Sequence, residues 1–373
     1  MNLSHPLRRT ALFGLMLGVA ACDVAQFIQD PKPRLVQTWN LPASSSTISV
    51  AKLLPAGVSI YSTPASNPPD SIGFSVTISS TTISRVVGSD CALCVTLNGT
   101  NAFKPQFVLA ANNSTPLPAN VVSAAIIGGQ VTLAITNNLS FDPLYVNTGP
   151  GTPPQGFMAL TIRSGSLVLG VDTVRGSVTS QFAPGAIMNR TIPLTTGVAT
   201  TNVTADMVFN SPVGDHNVPI NANGTVNAGF GIPTLRVGNV RINVPSTNIT
   251  PGTPTDLPDD LESSMTDRVI RGALEMTITN PFGVTGNLTA RFADAAAPAL
   301  AVTKIFALPS GATPQVASVS FDSTEMANIF KGNPTSLTMT GAVTSAAPIT
   351  VTPKQAVSIS NRLVLAIRVG GGS

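Results

Sequence analysis

The sequence predicts an all-β protein: two repeated antiparallel β-sandwich-like domains, or one elongated β-structure, with one or two short helices and an extended N-terminal region. Three observations predict it. Only 10% of the 373 residues are charged while 43% are hydrophobic, so the polar surface must come from Ser, Thr, Asn and Gly, a composition that covers sheets better than solvated helices. Apolar and hydroxylated residues alternate at period two, as in Phe74-Ser75-Val76-Thr77-Ile78-Ser79, which buries one face of a strand and wets the other. One such segment recurs, residues 126–137 aligning without gaps to residues 269–280, 143 positions later.

In both copies of that segment a Leu or Met and then an Ile share one face, and the strand ends on Asn137 or Asn280, a residue type that tolerates the left-handed conformation of a turn. A looser match relates 234–244 to 359–369, at an offset of 125. The two offsets differ by 18 residues, much of which a loop insertion around 148–154 in the first copy would absorb. Further strands are expected at 158–162, 167–171, 203–209, 288–292, 316–321, 337–339 and 349–351, with Gly, Pro and Asn as punctuation. Asp256 or Pro258 can start a short helix carrying Leu261 and Met265. A second helix, capped by Asp322 or Ser323, carries Met326, Ile329 and Phe330 and stops at Gly332. The expected organisation is a targeting segment over 1–21, an extended tether over 22–70 that docks onto the first domain, an N-terminal β region over 71–120, a first β repeat over 121–250 and a second over 251–373.

The targeting segment has its own logic. Arg8 and Arg9 precede an apolar run over 11–21 that is too short to span a bilayer and ends in small residues, the pattern of a cleaved signal peptide. The run closes on Val19-Ala20-Ala21-Cys22, which resembles the lipobox of bacterial lipoproteins, with Val19 where Leu is usual. That resemblance implies cleavage before Cys22, acylation of Cys22 by fatty acids such as palmitate, and a membrane-anchored protein of the bacterial cell envelope. Asp23 resembles the inner-membrane retention signal of enteric bacteria, so inner versus outer membrane stays open. No later segment approaches a spanning helix of roughly 18 apolar residues. Without Arg8 and Arg9, 18 basic residues face 17 acidic ones, scattered along the chain, and no basic patch recruits nucleic acid.

Chemistry-bearing residues are sparse. Cys91 and Cys94 could form a local disulfide, a redox pair or half of a metal site. A zinc site needs two more ligands, but the only other cysteine is Cys22 and the only histidine after the signal is His216. The flanks 83–87 and 95–97 read as strands rather than as a βαβ setting, which favours a disulfide pinning a loop or hairpin. His216 lies in a loop beside Asp215, and no Gly-x-Ser-x-Gly elbow exists in the chain. Gly149-Pro150-Gly151 and Gly229-Phe230-Gly231 lack the third glycine of a nucleotide fingerprint and read as turns. Asp256, Asp259, Asp260, Glu262 and Asp267 form an acidic cluster suited to capping a helix, with calcium as the second reading. Aromatic residues are 5% with a single tryptophan, so no sugar-stacking platform is expected.

These residues predict no catalytic centre, no cofactor and no metal. They leave a non-catalytic envelope protein with a structural or binding role, its partner another protein or a ligand. The alternative is a carrier of lipid or another hydrophobic ligand in a β-cavity. A hydrolase using carboxylates alone is the third reading. The segment Ile278-Thr279-Asn280-Pro281-Phe282 resembles the strand running into Asn-Pro of late-embryogenesis-abundant type 2 (WHy) β-sandwiches, which implies a sandwich without catalysis and a surface- or lipid-associated role.

Overall fold

A computed structural model describes residues 35–62, 72–145, 156–177, 182–200, 202–251, 255–257, 267–294, 296–331 and 335–369. The signal segment with Cys22, the loop at 66–70, the insertion at 148–154, Gly332 and the Asp259, Asp260 and Glu262 members of the acidic cluster lie outside them. The described chain is all-β. Its strands are β1 (Leu35–Ser49), β2 (Val58–Ser62), β3 (Ile72–Val86), β4 (Asn101–Phe103), β5 (Phe107–Pro116), β6 (Val121–Asn138), β7 (Phe157–Ser164), β8 (Leu167–Arg175), β9 (Ile187–Pro193), β10 (Gly197–Thr200), β11 (Asn202–Ser211), β12 (Asn217–Pro219), β13 (Thr225–Ile242), β14 (Thr247–Ile249), β15 (Thr255–Asp256), β16 (Val269–Asn280), β17 (Thr285–Ala293), β18 (Val302–Ala307), β19 (Gly311–Phe321), β20 (Ser336–Thr344), β21 (Ile349–Val351) and β22 (Ala356–Val369). Two short helices, Ala92–Thr96 and Ser323–Lys331, accompany them.

Every pairing is antiparallel, and the four larger sheets form two sandwiches. In the first, a sheet ordered β10-β6-β13-β3-β2, with β9 also on β6, faces a sheet ordered β5-β11-β7-β8. In the second, β1-β22-β16-β19 faces β14-β20-β17-β18. Alternation fills the space between sheets: Ile126, Val131, Leu133 and Ile135 of β6 and Leu274, Met276 and Ile278 of β16 all point inward and are buried. Phe74, Phe209 and Phe230 occupy the first core, and Phe292 meets Phe321 edge to face in the second, ring centres 5.4 Å apart. Each such ring contributes about 1.5 to 3 kcal/mol on burial.

Strand pairing gives the repeat a topological basis. β6 and β16 occupy the same place, each joined to a long final strand, β13 or β22, which on its other side takes β3 or β1. The register relating the final strands is not the 125 expected from sequence. Ile126 faces Val237 while Val269 faces Ile367, a shift of 130, and Ile135 faces Ala228 while Ile278 faces Ile359, a shift of 131. Bulges in β13 at 231–234 and 236–239 displaced the alignment by sequence alone.

The domain organisation differs from expectation in two ways. Within 22–70, the described residues are not an extended tether: β1 is a 15-residue strand, paired from Leu35↔Val369 to Ser49↔Ala356, that completes the second sandwich, and β2 joins the first by pairing with β3. The hydroxyl-rich half of β1, Ser45 to Ser49, alternates as a strand does, and the prolines around it masked that pattern. Nor is 71–120 a separate region, since β3 pairs with β13 and β5 with β11 inside the first sandwich. The first sandwich is therefore an insertion between β1 and the rest of the second. The junction is tied at several points. The Val50 amide donates to the Gln355 carbonyl (3.2 Å), the Val244 amide to Ser345 Oγ (2.9 Å), and β21 leaves its own half to pair with residues 240–242 of β13.

Local expectations fared unevenly. The helix Ser323–Lys331 begins with a reciprocal capping box, the Glu325 amide donating to Asp322 Oδ1 (2.8 Å) and the Asp322 amide to Glu325 Oε2 (3.0 Å), and it buries Met326 and Ile329. Asp256 lies in β15 opposite Ser336, and the expected helix carrying Leu261 and Met265 lies outside the described residues. Residues 92–96, expected as the loop and strand around the cysteine pair, are helical.

Candidate functional site

Gly229-Phe230-Gly231 is not a turn. It lies in the middle of β13, flanked by β6 and β3, with Phe230 buried in the core. Period two then forces both glycines onto the outer face. There they make the floor of an open groove of about 790 Å³ whose lining includes Thr82, Thr132, Ala134, Asn189 and Thr191. Cross-strand register arranges these in two rows. Asn189 faces Ala134, which faces Gly229, which faces Thr82; Thr191 faces Thr132, which faces Gly231. The groove exists because two side chains are missing from its centre. A Cβ on Gly229 would meet nothing nearer than the Ala134 carbonyl at 3.7 Å, and one on Gly231 nothing nearer than Thr132 Oγ1 at 3.6 Å.

The rim is hydrogen-bonded into place. Asn113 Nδ2 donates to Thr81 Oγ1 (2.7 Å) and to the Thr82 carbonyl (2.9 Å), fixing the β3 side. On the β9 side Arg190 Nε donates to Asp172 Oδ2 (2.6 Å), and that carboxylate raises the pKa of the guanidinium. The groove thus presents hydroxyls, a side-chain amide and backbone, and the one cation of its lining, Arg190, has its charge matched by Asp172. Its lining contains no carboxylate, cysteine, histidine or exposed aromatic ring. Nothing in it can serve as nucleophile and base together, and it fits hydrogen bonding to an uncharged polar chain.

The residues singled out in the sequence lie elsewhere. Cys91 and Cys94 are joined by a disulfide, both sulfurs buried, at the start of the helix Ala92–Thr96. Burial closes the sulfurs to thiol exchange, which needs an accessible thiolate. His216 Nδ1 lies 3.0 Å from Asp215 Oδ1 and the ring packs edge-on to Tyr145 at 4.7 Å. Among the described residues it has no hydroxyl or thiol partner. Nearby, Lys104 is fully buried, its Nζ donating to the carbonyls of Tyr145 (3.0 Å) and Pro143 (3.5 Å). Burial lowers its pKa to about 8, against the opposing influence of Asp142 and Asp215. An ammonium spent on two backbone carbonyls tethers the 139–145 loop to β4. Of the acidic cluster, Asp256 and Asp267 are described, and no group of three or more His, Cys, Asp or Glu gathers among the described residues.

No family model matches the chain, and no curated protein matches it. Among solved structures it is similar to a protein of Parabacteroides distasonis ATCC 8503, provisionally described as secreted, at 8% identity and a TM-score of 0.31 over 90% of this chain and 100% of that one. It is also similar to a chain of Broad Bean Stain Virus (9% identity, TM-score 0.19, 79% and 91% covered). A third similarity is to the N-terminal CBM22-1-CBM22-2 tandem domain of Paenibacillus barcinonensis Xyn10C (8% identity, TM-score 0.20, 86% and 96% covered). Likeness at this level says nothing of activity, substrate or partner. Among the described residues no helix is long and apolar enough to cross a membrane.

Proposed function

We propose that this chain is a non-catalytic binding protein of the bacterial cell envelope, exported, cleaved before Cys22 and held at a membrane by a lipid on that cysteine, with the groove over β13 as its binding surface. The ligand class is an extended, uncharged, hydroxyl-rich polymer. The observation that carries this reading is the pair of glycines in mid-strand. Glycine weakens a strand by about 0.5 to 1 kcal/mol relative to alanine, and two of them side by side on one face of β13 give up that stability to keep a trough open. The Val19-Ala20-Ala21-Cys22 resemblance supplies the anchor, and the likeness of residues 278–282 to the WHy strand accords with a surface role without catalysis.

The carrier reading would need an apolar cavity between the sheets. The described core side chains between the sheets are buried, and the groove over β13 lies outside the sandwich on polar residues, which supports surface binding. Two measurements test the proposal. Metabolic labelling with a fatty acid should mark the wild type and spare Cys22→Ala; an unlabelled wild type refutes the anchor. Calorimetric titration with envelope polysaccharide fragments should show binding that Gly229→Leu removes without loss of fold. Binding unchanged in that variant refutes the groove.

A further inference from the structure

The registers of the long strands give the molecule two distinct poles. β1 enters at Leu35 opposite Val369, and both run from that end toward the junction with the first sandwich. β13 then runs from the junction at Ile242 out to Thr225, which faces Val86 shortly before the disulfide. The chain therefore enters at the pole of the second sandwich farthest from the first. Twelve residues, 23–34, separate Cys22 from Leu35, a contour of about 40 Å at most.

The side chains at that pole are unlike the rest of the surface. Leu35 is 56% exposed, Val36 61% and Trp39 37%, all on an edge strand, and the indole N–H of Trp39 reaches Gln37 Oε1 at 3.4 Å. Three arginines lie at the same strand end on the face that Val36 and Thr38 share, while Leu35 and Trp39 turn to the opposite face by strand alternation, so that an end-on approach meets both sets. Arg368 lies opposite Val36, its amide donating to the Arg268 carbonyl at 2.8 Å, and Arg271 faces Ala366, which in turn faces Thr38. All three are exposed, and none has an ion-pair partner among the described residues; Asp267 is the acidic residue on the same turn. In a chain with 10% charged residues such a grouping stands out. A shallow depression of about 310 Å³, lined in part by Thr38, Arg271 and Ala366, lies between them.

We propose that this pole is a membrane-contact surface: the arginines bind the headgroups of anionic phospholipids, while Leu35, Val36 and Trp39 enter the interfacial layer. Exposed aliphatics, an amphipathic indole and exposed guanidinium groups are what that layer accepts, since Trp partitions to the headgroup level and Arg keeps its charge in water above buried methylenes. The complementary charge and the point of chain entry both favour a bilayer over a second protein. The inference takes its location from the anchored reading, and the contact fixes orientation: the second sandwich sits on the membrane, and the disulfide-bearing pole faces away.

Trp39 is the only tryptophan of the chain, so its fluorescence reports on this surface alone. The experiment uses the unlipidated chain from Asp23 onward, which contains every described strand, mixed with vesicles of phosphatidylcholine alone or with phosphatidylglycerol. With anionic vesicles the emission should shift to the blue and become shielded from iodide, and added salt should reverse both. Each arginine adds about fivefold to affinity at an anionic surface, so Arg268→Gln, Arg271→Gln and Arg368→Gln together should weaken binding about a hundredfold. These side chains are exposed, and circular dichroism verifies that the triple variant folds. Co-flotation of Trp39→Ala should fall in parallel. No shift with anionic vesicles, an equal shift with neutral ones, or unchanged binding by the triple variant overturns the proposal. A failure here with fatty-acid label still on Cys22 leaves the anchor standing, whereas an unlabelled Cys22 with vesicle binding intact removes the anchor and keeps the contact.

Discussion

The two sandwiches share the strand plan around β13 and β22 and part company at the middle of one outer face. In the first, Thr132 looks across at Gly231; in the second the corresponding pair is Glu275 and Arg362, whose Nε donates to the carboxylate at 2.7 Å. The neighbouring row changes from Ala134 and Gly229 to Thr277 and Ser360. The same backbone thus carries a trough in one copy and an ion pair lying across it in the other. Duplication supplied two equivalent surfaces, and side-chain volume on the final strand decides which of them is open. The copies also differ in how they close the shared strand. Asn137 Nδ2 donates to the carbonyls of Phe141 and Phe182 and its Oδ1 accepts from the Leu139 amide, while Asn280 Nδ2 donates to the carbonyls of Val284 and Pro309 and its Oδ1 has no partner among the described residues.

That last contrast gives the largest expected effect. Asn137→Ala removes three buried hydrogen bonds and should cost about 3 to 4 kcal/mol, against about 2 to 3 for Asn280→Ala. Urea unfolding of the two variants checks the order, and equal losses would break the proposed asymmetry. Lys104 distinguishes the copies by pH. Its folded pKa of about 8 lies below its ordinary 10.5, so between those values the unfolded chain holds the proton more tightly. Stability of the first sandwich should be level below pH 8 and rise by about 2 to 3 kcal/mol toward pH 10.5. Lys104→Met should flatten that rise.

Exchange of the groove pair comes next. Thr132→Glu with Gly231→Arg installs the second copy's ion pair in the first, at positions where a Cβ meets no clash. Stability should change by less than about 1 kcal/mol, because exposed ion pairs contribute little, while polymer binding is lost in titration. Retained binding would separate the groove from the function. The reverse exchange, Glu275→Thr with Arg362→Gly, should have the smallest effect on binding: it should cost about 1 kcal/mol of stability through the added strand glycine and open a second, weaker trough detectable as a second binding site.

Much of the fold was legible because alternation and the 126–137 repeat report directly on which face of a strand is buried. Residues whose meaning depends on distant partners were not. Leu35 to Ser49 reads as a Pro- and Ser-rich segment because its partner lies more than 300 residues away, and no local pattern announces it. Gly229 and Gly231 look like turn residues by type. The signal was Phe230 between them, continuing the inward alternation of Val226 and Ala228. The clustering of Arg268, Arg271 and Arg368 beside Val36 arises only from register across three strands.

The insertion of one sandwich into the other has a consequence for how the chain is made. During synthesis the first sandwich can fold as soon as β13 emerges, but β1 must wait for β22, the last strand to appear. Its final pairing closes a loop over most of the polypeptide, a step of high contact order that is intrinsically slow. A folded insert with β2 and β13 joined to the junction shortens the effective loop and so lessens the closure entropy. Until then β1 is an unpaired edge with exposed Leu35, Val36 and Trp39, open to pairing with other chains. A truncation that removes β22 therefore leaves a well-formed first half carrying an adhesive strand at its start.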